Sequence, residues 1–145
     1  QIAVFNAETG TTLAFYGALV PSGATGDVVI NLDAAWLRAA VGIWRVTELN
    51  SLIATATATQ TTLVSEGWAT TINIQAGGFA LAIVFGPANP FTWVGLTESF
   101  DIQIPAEGGI SGASDNFSAA QTGLTVSATT TGGSATGGLL VIAGR

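Results

Sequence analysis

The clearest fold signal in the chain lies at residues 52–59, which read Leu52-Ile53-Ala54-Thr55-Ala56-Thr57-Ala58-Thr59. Alanine and threonine alternate strictly, and a period of two residues is that of a β-strand, whose successive side chains point to opposite faces. The threonines therefore share one face of the predicted strand, and the alanines share the other. Because alanine is small, an inner face of alanines lets a second sheet approach closely. This stretch predicts one strand of a packed, two-sheet fold.

Other short segments carry the same strand signals. They are rich in Thr, Val and Ile, which favour strands, and many of the 19 glycines separate them. Further strands are predicted at residues 1–6, 11–20, 27–32, 39–49, 61–65, 69–75, 79–85, 91–96, 98–104, 123–129 and 138–143. About ten short strands at roughly ten-residue spacing are typical of an all-β domain. We therefore predict one domain over residues 1–145, a β-sandwich or jelly roll of about eight to ten antiparallel strands.

Three segments depart from the strand pattern. Residues 33–38 are the only credible helical turn, with Asp33 as its cap. Residues 86–90 contain two prolines, which cannot donate to a strand ladder, and so predict a loop. Residues 107–116 are rich in Gly, Ser, Ala, Asp and Asn, which predicts a second loop.

Charged residues are scarce, at 8% of the chain against roughly 25% in typical domains. The basic residues are Arg38, Arg45 and Arg145, lysine and histidine are absent, and nine acids bring the net charge to −6. Three scattered arginines cannot neutralise a run of phosphates, so we expect no nucleic-acid partner. The apolar runs are far shorter than the roughly 18 to 20 residues that span a bilayer, so we expect no membrane insertion.

With so little charge, the surface must consist mostly of Thr, Ser, Gly, Ala, Asn and Gln. Interface cores are depleted of charged residues, so such a surface tolerates packing against copies of itself. We therefore expect the chain to work in an assembly with copies of itself. An apolar edge strand at the N-terminus could pair with, or be exchanged into, a neighbouring subunit. This candidate inter-subunit strand consists of Gln1, Ile2, Ala3, Val4, Phe5 and Asn6.

The residue inventory removes most catalytic chemistry. Without histidine the chain has no Ser-His-acid triad, without lysine no Ser-Lys pair or P-loop, and without cysteine no thiolate nucleophile or zinc-thiolate site. We therefore predict no catalytic residue, no cofactor and no metal site, and we expect the chain not to be an enzyme.

Carboxylates leave two alternatives open. A glycosidase needs only an Asp/Glu pair across a sugar bond, although solvated strand ends are the more common role of such residues. The candidates are Glu48, Glu66, Glu98 and Asp101. Calcium is the other alternative, because Asp101, Glu107 and Asp115 flank the predicted second loop. Their spacing matches no calcium-binding motif, so hydrogen bonds within turns are the preferred interpretation.

The four tryptophans could serve either the core or a ligand. Large aromatic side chains dominate core burial, and Trp36 and Trp44 are predicted to be core residues. An exposed ring could instead stack on a sugar face. Trp68 and Trp93 are the candidates for this role, although a core position is favoured for each of them, and through them a glycan on a host surface is a potential ligand.

The C-terminal part of the chain resembles a known type of protein. Residues 119–128, 131–133 and 138–143 are similar to the closing strands of β-sandwich structural proteins of tailed bacteriophages, and residues 26–30 and 40–44 fit the same style. The resemblance is one of style and strand order, and it carries over no functional residue. It implies a virion component, such as a head-decoration, fibre or tail protein, whose partners are copies of itself and other virion proteins.

Two other interpretations remain open beside the virion protein. One is a secreted, pilus-like filament subunit joined to its neighbours by donor strands and located on an extracellular surface. The other is a carbohydrate-binding module that uses Trp68 or Trp93.

Overall fold

The computed structural model of the chain describes residues 1–7, 11–19, 27–31, 39–61, 67–87, 90–104, 108–131 and 137–145. These residues form ten β-strands and no helix. The strands are β1 (Ala3–Ala7), β2 (Thr11–Phe15), β3 (Ala56–Gln60), β4 (Gly67–Ile74), β5 (Gly78–Gly86), β6 (Phe91–Val94), β7 (Thr97–Ile104), β8 (Gly108–Phe117), β9 (Gln121–Thr130) and β10 (Gly138–Gly144). Within these described ranges there is no helix long and apolar enough to cross a membrane.

The strands form three antiparallel sheets. A five-stranded sheet has the order β3-β10-β5-β8-β7, a three-stranded sheet has the order β4-β9-β6, and β1 pairs with β2 in a two-stranded sheet. The pairs are nested along the chain, because β5 pairs with β8, β4 with β9 and β3 with β10. The prediction of an all-β sandwich is confirmed, whereas its jelly-roll form stays a prediction.

Two apolar layers cover the two faces of the five-stranded sheet. The larger layer lies between the five-stranded and three-stranded sheets, and it includes Trp68, Val126 and Leu139. The smaller layer lies on the other face, where Leu13 and Phe15 of β2 pack against the five-stranded sheet. We call this second face the outer face of the five-stranded sheet.

Strand β10 is buried on both faces. Leu139 and Val141 belong to the larger apolar layer, while Leu140 and Ile142 belong to the smaller one. A strand covered on both sides carries a continuous apolar run instead of an alternating one, and residues 139–143 show that run. The predicted strand at residues 138–143 is confirmed.

The alternation at residues 52–59 has its predicted effect within a shorter strand. Strand β3 begins at Ala56 and forms an edge of the five-stranded sheet beside β10. Thr57 and Thr59 are exposed, whereas Ala56 and Ala58 are half-buried against the larger apolar layer. The alanine face is therefore the inner face.

The prediction of a loop at residues 107–116 is wrong, because residues 108–116 belong to β8 in the five-stranded sheet. The small residues of β8 make room for aromatic rings and do not form a turn. A Cβ atom at Gly112 would lie 2.4 Å from the Phe100 ring and 2.6 Å from the Trp44 ring. Small side chains here let rings from two other segments lie directly against the sheet.

The predicted strands at residues 27–32 and 39–49 are also wrong for the single chain. Residues 27–31 and 39–49 contain no strand. A strand needs partners for its backbone N–H and C=O groups, and neither segment makes a backbone hydrogen bond to a described residue. The predicted strand at residues 11–20 ends early, at Phe15.

Three sequence predictions concern residues outside the described ranges. They are the helical turn at residues 33–38 with its core residue Trp36, residues 88–89 of the predicted loop at 86–90, and all but the first residue of the predicted strand at 61–65.

Candidate assembly surface

Exposed apolar side chains are concentrated in the N-terminal part of the chain. Among the described residues, eleven large apolar side chains are exposed, and all but Val94 of β6 precede residue 54. Single exposed apolar residues are ordinary, whereas a contiguous patch of them marks an interaction surface, so their concentration in one part of the chain makes that part a candidate. The set that we call the N-terminal apolar surface consists of Val4, Tyr16, Leu19, Val28, Val29, Ile30, Val41, Ile43, Val46 and Ile53.

Residues 40–45 alternate between two environments. The half-buried side is formed by Ala40, Gly42 and Trp44. The exposed side is formed by Val41, Ile43 and Arg45. This period of two is the pattern of a strand, yet the backbone of these residues is bonded to no described residue. The segment therefore has the side-chain pattern of a strand and a backbone that no described residue pairs with.

Trp44 anchors this segment to the outer face of the five-stranded sheet. The centroid of its ring lies 5.9 Å from that of Phe15 and 5.2 Å from that of Phe100. Its Nε1 donates a hydrogen bond to Ser99 Oγ at 3.2 Å. A Cβ atom at Gly42 would lie 2.2 Å from the Phe100 ring, so the backbone there rests on that ring. The exposed side chains of Val41, Ile43 and Arg45 therefore belong to a segment that Trp44 holds against the sheet.

Residues 27–31 form a contiguous exposed run. Val28, Val29 and Ile30 are 64%, 74% and 52% exposed. Three successive β-branched residues favour a strand, but this run makes no backbone hydrogen bond to the part of the chain that the structure describes. The run is strand-forming and has no partner in the described chain.

The candidate inter-subunit strand at residues 1–6 pairs within its own chain. In β1, Val4 lies opposite Ala14 of β2, and Ile2 N donates to Phe15 O at 2.8 Å. Ile2 and Phe5 are half-buried against the smaller apolar layer. Exchange of this strand between subunits stays a prediction.

The two candidate sugar-stacking tryptophans are both engaged by the sandwich. Trp68 is a core residue, as its size favours, and only the alternative of an exposed, sugar-stacking ring is wrong for it, because its side chain is 0% exposed and its Nε1 donates to Thr61 O at 3.2 Å. Trp93 is half-buried, and its Nε1 donates to the buried Ser111 Oγ at 2.8 Å. Stacking of Trp93 on a glycan stays a prediction.

Two of the candidate carboxylates support the backbone near β6 and β7. Asp101 Oδ2 accepts a hydrogen bond from Phe91 N at 3.2 Å, and Asp115 Oδ2 accepts one from Thr97 N at 2.8 Å. Searching only the described residues, we find no group of three or more possible ligands that could hold a metal ion. These bonds agree with the structural role that was preferred for the carboxylates.

The remaining candidate carboxylates lie in different parts of the chain. Glu98 lies on β7, where desolvation and then the charge of Asp101 raise its pKa above the ordinary value of 4.5. Glu48 is exposed and has a left-handed backbone with φ of 59°. Glu66 and Glu107 lie outside the described residues.

A groove of about 430 Å³ lies beside residues 44–49. Its lining includes Arg45, Arg145 and Phe79. Neither guanidinium group forms an ion pair or a hydrogen bond with a described residue. Two of the three basic residues of the chain therefore line this groove without an ionic partner among the described residues.

No protein-family model matches the chain, and no characterised protein or solved structure is significantly similar to it. Its function is therefore inferred from its own geometry.

Sequence reasoning placed residues 27–32 and 39–49 in the sandwich and so missed the position of the N-terminal apolar surface. One signal was present in the run Val28-Val29-Ile30. Successive residues of a strand point to opposite faces, so three adjacent apolar residues cannot all face one core. Such a run needs cover on both faces, and residues 27–31 have no such cover within the described chain.

Proposed function

We propose that this chain is a non-enzymatic structural protein of a virion, a head-decoration, fibre or tail component that assembles with copies of itself and with other virion proteins. The observation that carries the proposal is the N-terminal apolar surface. It holds ten of the eleven large apolar side chains that are exposed among the described residues. A chain that functioned as a monomer would gain nothing from this concentration.

Apolar burial would supply the energy of assembly, at about 25 cal/mol for each Å² removed from water. Charge works against contact, because copies that each carry a net charge of −6 repel one another. Residues at the centre of a contact are therefore expected to be the uncharged, apolar ones. Added salt screens the repulsion, so assembly is expected to strengthen as salt is raised.

The sandwich suits the role of a rigid carrier for this surface. Trp44 fixes residues 40–45 to the five-stranded sheet through two aromatic neighbours and a hydrogen bond. A segment that is already ordered loses less conformational freedom on binding, so more of the burial energy is retained.

Sedimentation velocity of the purified chain, over a micromolar concentration range, tests the assembly. We expect oligomers that dissociate on dilution. Replacing two exposed residues of the N-terminal apolar surface, Tyr16→Ser with Leu19→Ser, is expected to weaken them. The matched control is Val94→Ser, which removes an exposed apolar side chain outside that surface. A chain that stays monomeric throughout, or a control that weakens assembly equally, contradicts the proposal.

Location in a virion needs its own experiment. An antibody raised against the chain is applied to purified virus particles and viewed by electron microscopy. Regular labelling of the head, fibre or tail is expected. Labelling of a filament on the cell surface would instead favour the pilus-like subunit, and labelling of neither would contradict both.

A further inference from the structure

We infer that residues 27–31 of one copy pair as an antiparallel strand with residues 41–45 of a second copy, in the register that places Asp27 opposite Arg45. The inference rests on the proposed function, because it requires that copies assemble, and it names the contact through which they do so.

The backbones of both segments are unpaired within the part of the chain that the structure describes. Neither segment makes a backbone hydrogen bond to any residue that the structure describes. Residues 40–45 already alternate as a strand does, with Trp44 and Gly42 seated on the Phe100 side. An added strand would satisfy the exposed N–H and C=O groups, which is the basis of recognition by strand addition.

The side chains match in this register. Val29 falls opposite Ile43, and each is the most exposed apolar side chain of its segment, at 74% and 68%. Residues directly opposite in an antiparallel pair have Cβ atoms about 4.5 to 5.5 Å apart, so these two would cover one another. Asn31 falls opposite Val41 on the same face.

Charge selects this register over its neighbours. Asp27 and Arg45 form no ion pair or hydrogen bond with a described residue, and in the inferred pair they lie directly opposite. A shift by one residue would turn Val29 to the other face. A shift by two residues would separate Asp27 from Arg45 and leave both charges unpaired beside apolar side chains.

The second segment is expected to come from another copy because neither segment is paired with any residue of its own chain that the structure describes. A two-fold dimer would make the contact twice, once in each direction. A pair of five-residue segments is smaller than the roughly 20 to 30 residues that each partner contributes to a standard interface. Other residues of the N-terminal apolar surface are therefore expected to contribute beside it.

Disulfide trapping tests the register, since the chain has no cysteine of its own. A Val29→Cys chain is mixed with an Ile43→Cys chain of different mass and oxidised mildly. Opposite residues in an antiparallel pair have Cα atoms about 4.5 to 5.5 Å apart, which is within the range of about 4.4 to 6.8 Å found for disulfides. We expect a mixed dimer on a non-reducing gel.

The matched control mixes Val28→Cys with Ile43→Cys, because residue 28 is adjacent but lies on the opposite face. Its mixed dimer is expected to form several-fold more slowly. Equal rates in the two mixtures overturn the register. A chain that carries both Val29→Cys and Ile43→Cys tests whether the partner segment belongs to a second copy. If this chain forms its disulfide within the monomer, the inference that the two segments come from different copies is wrong.

The charge pair is tested by exchanging its members. Asp27→Arg combined with Arg45→Asp keeps the net charge at −6, because one acid is lost and one is gained. We expect Arg45→Asp alone to raise the dissociation constant of the oligomer about two- to fivefold, which is the strength of an exposed ion pair. The exchanged chain should recover that loss. An exchange that recovers nothing overturns the pairing of these two residues.

The two proposals can fail separately. Oligomers that sediment as expected but yield no mixed disulfide overturn the inferred pairing and leave the structural role standing. A chain that is monomeric in sedimentation overturns both.

Discussion

Residues 1–55 and residues 56–145 differ in how many of their described large apolar side chains are exposed. In the second region the described large apolar residues are buried or half-buried, with Val94 as the exposed exception. The first region carries the N-terminal apolar surface, and its only described strands are β1 and β2. A two-stranded sheet is marginal by itself. It is stabilised here because Leu13 and Phe15 pack against β10 and β5 of the larger sheet.

The contrast is sharpest between β10 and residues 27–31. Both are short runs of Val, Ile or Leu, which predict a strand equally well. β10 has β3 and β5 on its two edges and an apolar layer on each face. Residues 27–31 have no such neighbours among the described residues. Burial therefore depends on available partners, and a second copy could supply for residues 27–31 what β3 and β5 supply for β10.

The largest expected effect compares one residue from each of these runs. Leu139→Ala would leave a cavity in the larger apolar layer and is expected to lower the free energy of unfolding by about 2 to 5 kcal/mol. Val29→Ala removes an exposed side chain and is expected to change it by less than about 0.5 kcal/mol. Urea unfolding of dilute chain, followed by tryptophan fluorescence, measures both. If the two variants lowered the free energy of unfolding of the monomer by similar amounts, the contrast between the two regions would be contradicted.

The second largest effect concerns the contact between the two regions, where Trp44 packs against Phe100 and Gly112. Gly112→Val would drive a side chain into the Phe100 and Trp44 rings, and overpacking of this kind costs about 1 to 3 kcal/mol. Hydrogen exchange of residues 40–45 should accelerate, because their anchor is displaced. In a Phe100→Ala background, Gly112→Val should cost less unfolding free energy than it does in the parent chain, because the ring that it meets is gone. If the added valine costs the same with and without the Phe100 ring, the ring is not what excludes a side chain at Gly112.

Much of the sandwich could be predicted from the sequence, because period and composition are local properties. The alternation at residues 52–59 and the runs at 79–85 and 138–143 each identified a strand of the five-stranded sheet. Strand β8 was not predictable in this way. Its glycines are a loop signal locally, and only the long-range approach of Phe100 and Trp44 explains them.

The candidate assembly surface was less predictable for a related reason. Sequence assigned residues 27–32 and 39–49 as strands, but it does not indicate where the partner strand comes from. It also left open an exposed ring at Trp68 beside the favoured core role, because the burial of Trp68 depends on the close approach of Gly86 and Gly137, where a Cβ atom would meet the ring. Both features depend on contacts between residues far apart in the chain.

A smaller effect is expected from a buried polar contact within the sandwich. Trp93→Phe removes the donor to Ser111 Oγ, an atom that also donates to Phe100 O at 2.8 Å. Loss of one such bond is expected to lower the free energy of unfolding by about 1 to 2 kcal/mol. Ser111→Ala and the double variant complete a mutant cycle under the same urea protocol. Additive losses in that cycle would show that the two side chains do not depend on one another.

The smallest effect is a pH dependence at the edge strand β7. The pKa of Glu98 is raised by desolvation and by the charge of Asp101, so its ionised form is disfavoured in the folded chain. Stability should therefore fall as pH rises through the ordinary value of 4.5 toward the raised pKa, and remain lower above it.

Replacing this side chain isolates its share of that pH dependence. Glu98→Gln should be more stable than the parent chain at neutral pH and indistinguishable from it well below the ordinary pKa of glutamate. At about 1 M salt, where the screening length is about 3 Å, the part of the difference due to Asp101 should shrink and the part due to desolvation should persist. Urea midpoints across this pH range measure the effect. A variant that is less stable than the parent at neutral pH would mean that the ionised carboxylate stabilises β7, against the sign expected here.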